Sequence, residues 1–311
     1  MPPRIGIMQG RLSSPIDDRI QSFPINSWEN EFRLAKDIGF ELIEWVLDEN
    51  IKDNPILNKK DFSKINEIKM ETGIEVNSIC CDYFMKNSLS KNSESFNKKN
   101  LEVFNFLIEE SCPLNCIKII DLPLVGKESL KKKQISDDYK NLLLKEEKKI
   151  IDNNLMIALE TDLGPNDLKD FLKNFNKKAV SVNYDMGNSA FWKFEAKQEF
   201  LCYGKTISNV HIKDCTPKDY TVQLGDGNVD FNEVFFLLKE NNYKADFILQ
   251  AARGNDDFQI AKKQFQFAKK YVSKCIDTNW ISSQGEYVRK FEKALAKYHR
   301  VKFCIATSGG T

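Results

Sequence analysis

Four polar side chains each close an apolar run in the chain. They are Glu160 in Ile157-Ala-Leu-Glu-Thr, Asp185 in Val182-Asn-Tyr-Asp, His211 in Asn209-Val-His-Ile and Gln250 in Phe247-Ile-Leu-Gln. Their separations are 25, 26 and 39 residues. The first two match a strand plus its following helix, so these residues belong on neighbouring parallel strands at similar height. The third is longer because residues 214–232 read as an extended loop. Two carboxylates, an imidazole and an amide oxygen converging on one point form a hard, mostly oxygen site. It suits Mn²⁺ or Mg²⁺ and is compatible with Co²⁺ or Zn²⁺. A cation there would polarise a carbonyl and a neighbouring hydroxyl, lowering the barrier to an enediolate. A carboxylate beside it can then move a proton between adjacent carbons. A single histidine on an apolar strand is more often a satisfied core residue, and the chain has two histidines, the other being His299. What favours a site is four such residues ending consecutive strands.

The elements that would position them follow from an alternation of short β-branched or apolar runs with longer amphipathic stretches. The runs are Ile5–Met8, Leu42–Val46, Glu75–Ile79, Cys116–Ile120, Leu155–Leu159, Val180–Tyr184, Ile207–Ile212 and Asp246–Gln250. Helical patterns between them include Trp28–Ile38, Phe62–Thr72, Phe96–Glu110, Asp138–Asn153 and Leu168–Phe175. Ser27 is an N-cap candidate, Gly39 and Gly73 are C′ glycines, and Pro165 suits a first helical turn. Eight strands alternating with helices predict an α/β protein, a (β/α)8 TIM barrel. No GxGxxG follows the first run, which argues against a dinucleotide fold. The barrel is expected over residues 1–275, with a short incomplete appendage over 276–311.

Composition limits the partners. Lys+Arg is 46 against Asp+Glu 45, a net charge of +1, which gives no footprint for nucleic acid or an anionic membrane. No run approaches the roughly 20 apolar residues of a membrane helix, and the N-terminus lacks the pattern of an export signal. The eight cysteines include Cys80-Cys81 and Cys112/Cys116 but no CxxC pair. Reduced, mostly buried thiols in a cytoplasmic protein are the expectation.

At the strand-end residues the sequence resembles the xylose isomerase-like barrels, the sugar phosphate isomerase/epimerase superfamily, over roughly residues 3–272. The motifs are Gly6-Ile-Met-Gln-Gly-Arg, Ile43-Glu-Trp, Leu159-Glu-Thr, Tyr184-Asp-Met-Gly-Asn, Val210-His-Ile-Lys-Asp and Leu224-Gly-Asp-Gly-Asn-Val-Asp-Phe. The resemblance implies one divalent ion bound through Glu160, Asp185, His211 and Gln250, and a small sugar or sugar phosphate as substrate. It is compatible with a homodimer, for which the sequence shows no interface. Gln9 and Glu44, closing the first two strands, read as hydroxyl contacts. Asn188 stands where a substrate-side histidine is often found, and Lys213 and Arg253 could hold an anionic group such as phosphate.

Three positions depart from the family pattern: Gln250 replaces a glutamate, Asn188 a histidine and Pro217 an arginine. An amide oxygen can ligate a metal but cannot accept a proton. Inversion at one carbon needs proton transfer on both faces, whereas aldose–ketose isomerisation can use one base. With Glu160 as the single catalytic carboxylate, isomerisation is therefore favoured over epimerisation. A rival donor among Cys81, Asp82, Lys213 and Asp214 would restore two-face chemistry. A non-catalytic sugar-binding barrel and a metal-dependent hydrolase or endonuclease on the same scaffold are the alternatives. The single barrel histidine disfavours the latter.

Residues 276–311 resemble the opening of a DegT/DnrJ/EryC1/StrS sugar aminotransferase, through Trp280-Ile-Ser-Ser-Gln-Gly-Glu-Tyr-Val and Ala306-Thr-Ser-Gly-Gly-Thr. In that family the Gly-Thr turn cradles pyridoxal phosphate, and the cofactor lysine would lie beyond residue 311. The expectation is a truncated fusion or fragmentary gene, with Glu286–Tyr298 helical and Val301–Ala306 a strand.

Overall fold

The computed structural model describes residues 3–110, 117–276, 286–299 and 301–304. Eight parallel strands close into a barrel in sequential order. They are β1 (Ile5–Met8), β2 (Leu42–Val46), β3 (Ser78–Cys80), β4 (Ile119–Leu124), β5 (Met156–Thr161), β6 (Val180–Asp185), β7 (Ile207–Ile212) and β8 (Phe247–Leu249). Closure comes from β1 pairing with both β2 and β8, with Gly6 opposite Leu42 and Ile248. Two strands sit later than their apolar runs. Ile74 and Val76 are buried but precede β3, and β4 begins at Ile119 and runs on through Asp121. Cys112 and Cys116 lie outside the described residues.

The helices at the outset match their patterns. Trp28–Ile38 and Phe62–Thr72 form with those bounds, each ending on a left-handed glycine, Gly39 (φ 104°) and Gly73 (φ 76°). A residue with a Cβ would be strained in that conformation. Pro165 opens the helix Pro165–Leu172 as its first residue. Ser27 occupies the N-cap position of Trp28–Ile38 without a capping hydrogen bond, its hydroxyl donating instead to Ser13 Oγ at 2.8 Å. The helices following β3 to β6 are Lys98–Glu110, Lys133–Asp152, Pro165–Leu172 and the pair Met186–Phe191 and Ala196–Tyr203. Phe231–Glu240 and Asp257–Ile276 follow β7 and β8.

Strand alternation divides the core in two. Ile43, Trp45, Ile79, Ile120, Leu122, Leu159, Val182, Tyr184, Val210 and Ile212 pack in the large apolar cluster shared with the helices. Met8, Leu42, Val46, Cys80 and Ile248 form a second, small cluster. Leu42 and Val46 flank Glu44 on one strand face, so Glu44 points with them into the barrel. By the same alternation Asp121, Glu160, Asn183 and His211 point inward, and all are buried. The barrel interior thus holds a small apolar cluster interleaved with buried polar side chains.

Beyond the barrel, Glu286–His299 is helical. Residues 301–304 form no strand, and Val301 N donates to Ala296 O at 3.0 Å. The stretch around Trp280, Ile305-Ala306 and the closing Ser308–Thr311 lie outside the described residues. Among the described residues no helix is long and apolar enough to cross a membrane. The described cysteines Cys80, Cys81, Cys202, Cys215 and Cys304 are all free thiols, the first two and Cys215 buried.

Gly6 shows how tight strand closure is. A Cβ there would lie 2.1 Å from Leu42 Cδ1 and 2.8 Å from the Leu42 carbonyl oxygen. Gly6→Ala is expected to destabilise the protein by about 1–3 kcal/mol through overpacking. Urea unfolding would show this as a lower midpoint at unchanged slope.

Candidate functional site

His211 is the hub of the polar layer and is fully buried. Its Nε2 lies 2.6 Å from Glu44 Oε1, and its Nδ1 lies 3.3 Å from Glu160 Oε2. Glu44 is itself fixed, its Oε2 accepting from Asn209 Nδ2 at 2.8 Å and from the Ser78 hydroxyl. Burial alone would push the imidazolium pKa down. The surrounding Glu44, Glu160 and Asp121 carboxylates outweigh it and hold His211 well above its ordinary value.

Glu160 is held at the mouth by two side-chain amides. Oε1 accepts from Asn188 Nδ2 at 2.6 Å, and Oε2 accepts from Asn183 Nδ2 at 2.8 Å. Burial works to raise its pKa, but His211, Lys213 and Asn183 together bring it below the usual carboxylate value. Asp185 ends β6, where its Oδ1 caps Met186–Phe191 by accepting from Asn188 N at 2.8 Å. Its Oδ2 faces Lys213 Nζ at 3.4 Å, and burial raises its pKa despite that charge. Lys213 also donates to Asn188 Oδ1 at 2.8 Å and lies 3.9 Å above the Tyr220 ring. Its alkyl stem rests against Gly187, where a Cβ would come within 2.6 Å of Lys213 Cγ. The glycine of the Asp-Met-Gly-Asn motif is what admits the lysine.

Gln250 follows β8, its N–H donating to Ile212 O at 3.1 Å. Its Nε2 donates to Gln21 Oε1 at 3.2 Å, while its buried Oε1 has no hydrogen-bond partner among the described residues. Gln9 Oε1 accepts from Val46 N at 3.0 Å, and its Nε2 is buried without a partner among the described residues. Arg253 donates to the carbonyls of Gly10 and Ser13 and to Asp257 Oδ2 at 2.7 Å, tying the end of β8 to the loop after β1. Arg11 answers it by donating to Ala251 O at 3.1 Å and Gln21 Oε1 at 3.1 Å.

The structure thus joins Glu160, His211 and Glu44 directly, and Asp185, Asn188 and Lys213 as a second group that meets the first through Asn188. Gln250 and Gln9 stand at the mouth with free polar atoms. Two residues of the layer, Asp121 and Asn183, were missed in the sequence. Asp121 lies 3.9 Å from His211 Nε2 and is fully buried, with neither oxygen hydrogen-bonded among the described residues. Burial and the charge of Glu160 drive its pKa far up. The signal was present, a lone polar residue inside Ile119-Ile-Asp-Leu and inside Val182-Asn-Tyr. The apolar run Cys116–Ile120 stops one residue short of Asp121, which β4 includes. Among the described residues, Asp121, Glu160 and His211 form one group with ligand atoms close enough to share a cation, and Glu44, Cys80 and Asp121 form another.

A closed eight-stranded parallel barrel with carboxylates and a histidine at its C-terminal mouth has the layout of a barrel enzyme. The chain belongs to the xylose isomerase-like TIM barrel family, whose model matches residues 32–271. Residues 263–311 match the model of the DegT/DnrJ/EryC1/StrS aminotransferase family, so the resemblance in the tail starts inside helix Asp257–Ile276. The L-ribulose-5-phosphate 3-epimerase UlaE of Shigella flexneri serotype 5b (strain 8401) is 23% identical over 240 residues, covering 72% of this chain and 81% of its own. A solved L-ribulose 3-epimerase superposes with a TM-score of 0.70 at 17% identity, covering 91% of this chain and 99% of its own. A xylose isomerase-like TIM barrel protein from Mycobacterium smegmatis, solved in complex with magnesium, superposes with a TM-score of 0.65 at 16% identity, covering 88% and 97%.

The loop after β1 is clamped from below by Glu31, whose Oε2 accepts from Gly10 N at 2.8 Å and Oε1 from Leu12 N at 2.9 Å. Burial raises its pKa from 4.5 to about 7, against the pull of the two backbone donors. The neutral form is therefore the one the fold favours. Its contribution is present below pH 4.5, declines as pH rises towards 7, and is lost above. The stability advantage of wild type over Glu31→Gln should fall by about 2 kcal/mol between pH 5 and pH 8. Chemical denaturation of both proteins across that range checks the slope.

Proposed function

We propose that the protein is a divalent-metal-dependent epimerase of a small ketose or ketose phosphate, inverting a carbon next to the carbonyl. The observation that carries this reading is the Glu44–His211 clamp. With Nε2 held by a carboxylate, Nδ1 is left to face Glu160. A carboxylate–histidine pair of this kind fixes the ring and the nitrogen offered to a metal. The unpartnered Gln250 Oε1 supplies a free oxygen donor at the same mouth.

The residues that would hold the ion are Glu160, Asp185, His211 and Gln250, a donor set suited to Mn²⁺ or Mg²⁺. An ion there would polarise the substrate carbonyl and adjoining hydroxyl. The chain's own groups do the rest. Glu160, kept ionised by His211 and oriented by Asn183 and Asn188, takes the proton from the carbon. Lys213, Asn188 and Gln9 present donors to substrate hydroxyls or a phosphate. The amide at position 250 taken alone favours isomerisation. The curated relatives named as 3-epimerases shift the reading to inversion.

Calorimetric titration of the full chain with Mn²⁺ should show one-to-one binding. His211→Ala should weaken it by at least about 100-fold and Glu44→Gln by about 10-fold. A panel of L-ribulose, L-ribulose 5-phosphate and other ketopentoses and ketohexoses should show inversion that chelation abolishes and Mn²⁺ restores. Absence of binding would remove the metal reading. Binding without turnover on the panel would make the barrel a sugar-binding domain.

A further inference from the structure

Inversion needs a proton donor on each face of the carbon, and Gln250 cannot be one of them. The polar groups around the mouth can be sorted by what already holds them. Asp214 is fully buried and accepts from four backbone N–H groups, those of Cys215 at 2.9 Å, Gly225 at 2.9 Å, Gly227 at 3.0 Å and Val229 at 3.1 Å. It folds the loop after β7 and has no lone pair to spare. Cys81 packs in the large apolar cluster outside the barrel interior. Lys213 is bound to Asp185 and Asn188 on the Glu160 flank. Asp121 lies fully buried beneath His211. The Tyr220 hydroxyl is pushed up by burial and by nearby carboxylates.

Asp82 differs from all of these. It follows Cys80, the last residue of β3, and is half-buried. Its Oδ2 accepts from Gln21 Nε2 at 2.6 Å and its Oδ1 from the Cys80 thiol at 3.5 Å. The other end of the same Gln21 amide accepts from Gln250 Nε2 at 3.2 Å and from Arg11 at 3.1 Å. One amide group therefore separates Asp82 from the position where a carboxylate is missing. The partners of Glu160 come from β6, its following helix and β7. Those of Asp82 come from β3 and the loop after β1, so the two carboxyl groups flank the mouth from different sides.

Resting on the epimerase reading, we propose that Asp82 is the second catalytic acid–base residue, exchanging a proton with the face of the substrate carbon turned away from Glu160. In one direction the Glu160 carboxylate takes the proton and the C–H electron pair passes into the enediolate. The carbonyl then re-forms as the Asp82 carboxyl delivers its proton to the other face. Glu160 is left protonated and Asp82 ionised, and both return to their starting forms by exchange with solvent. The reverse reaction exchanges their roles. Burial and the charge of Glu160 raise Asp82 to about 6, Gln21 and Arg11 notwithstanding, which keeps both of its forms accessible near neutral pH.

The test follows inversion and deuterium uptake by NMR in heavy water, with full-length, Mn²⁺-loaded protein and the ketose panel. Asp82→Asn should lose inversion by about 100-fold or more. It should still incorporate deuterium from the epimer whose hydrogen faces Glu160, and its Mn²⁺ binding should stay at the wild-type value. Adding Gln250→Glu to Asp82→Asn should restore inversion, a rescue that a merely structural Asp82 would not give. Inversion by Asp82→Asn at the wild-type rate overturns the assignment and leaves the epimerase reading standing. Joint loss of exchange and inversion without rescue also overturns it. A wild type that exchanges no sugar of the panel removes the epimerase reading and the assignment with it. If only Gln250→Glu makes an inactive wild type active, Asp82 supplies no proton and the assignment is wrong.

Discussion

The hydrogen bond between Glu44 and His211 crosses the inside of the barrel, linking β2 to β7, and the arrangement of the mouth depends on it. Placing an ionisable pair where neither side chain reaches water costs several kcal/mol per ion unless each is neutralised and hydrogen-bonded. Here Asn209 and Ser78 take up the remaining capacity of Glu44, and Glu160 takes the other imidazole nitrogen. The pair therefore fixes the ring plane, and the ring plane fixes which atoms converge above it. Asp121, beside the same ring and without a hydrogen bond among the described residues, is the part of the layer left unbalanced. Burial and the charges of Glu160 and Glu44 push its pKa far up, against the pull of His211.

Above this layer, the mouth is shaped by loops that satisfy themselves. Asp214 gathers four amides of its own loop, and Arg253 gathers carbonyls from the loop after β1. These are charge-assisted bonds at sites mostly shielded from solvent, where they are stronger than at the surface. Their effect is to turn long connections into fixed walls. Lys213 and Arg253 look alike in the sequence as cations just past strand ends. The structure gives them different surroundings, the former among Asp185, Asn188 and Tyr220, the latter among backbone oxygens and Asp257.

The Gln21 amide links the two halves of the mouth. Its carbonyl takes Gln250 and Arg11, and its NH₂ group takes Asp82. A glutamate at position 250 would meet the Gln21 carbonyl with a second acceptor, so the present amide fits the loop that covers it. The departure at 250 is thereby part of a changed set of contacts, in which Asp82 and Gln21 take part together.

Much of this was legible in the sequence because it is local or periodic. Eight apolar runs specified eight parallel strands, and the bounds of the helices Trp28–Ile38 and Phe62–Thr72 followed from amphipathic spacing and a terminal glycine. The intervals between Glu160, Asp185 and His211 specified neighbouring strands, since each is about one β/α unit long, while the register sets Asp185 opposite His211 and leaves Glu160 beside Asn183. Tertiary structure alone decided which nitrogen of His211 faces Glu160, because that depends on Glu44, 167 residues away. It alone placed Gln21 against Gln250, 229 residues apart. It also alone turned Asp121 into a member of the site. Sequence spacing reports which strand and which face a residue occupies. Contacts across a closed barrel depend on strand stagger, side-chain rotamer and loop path, which no local pattern encodes.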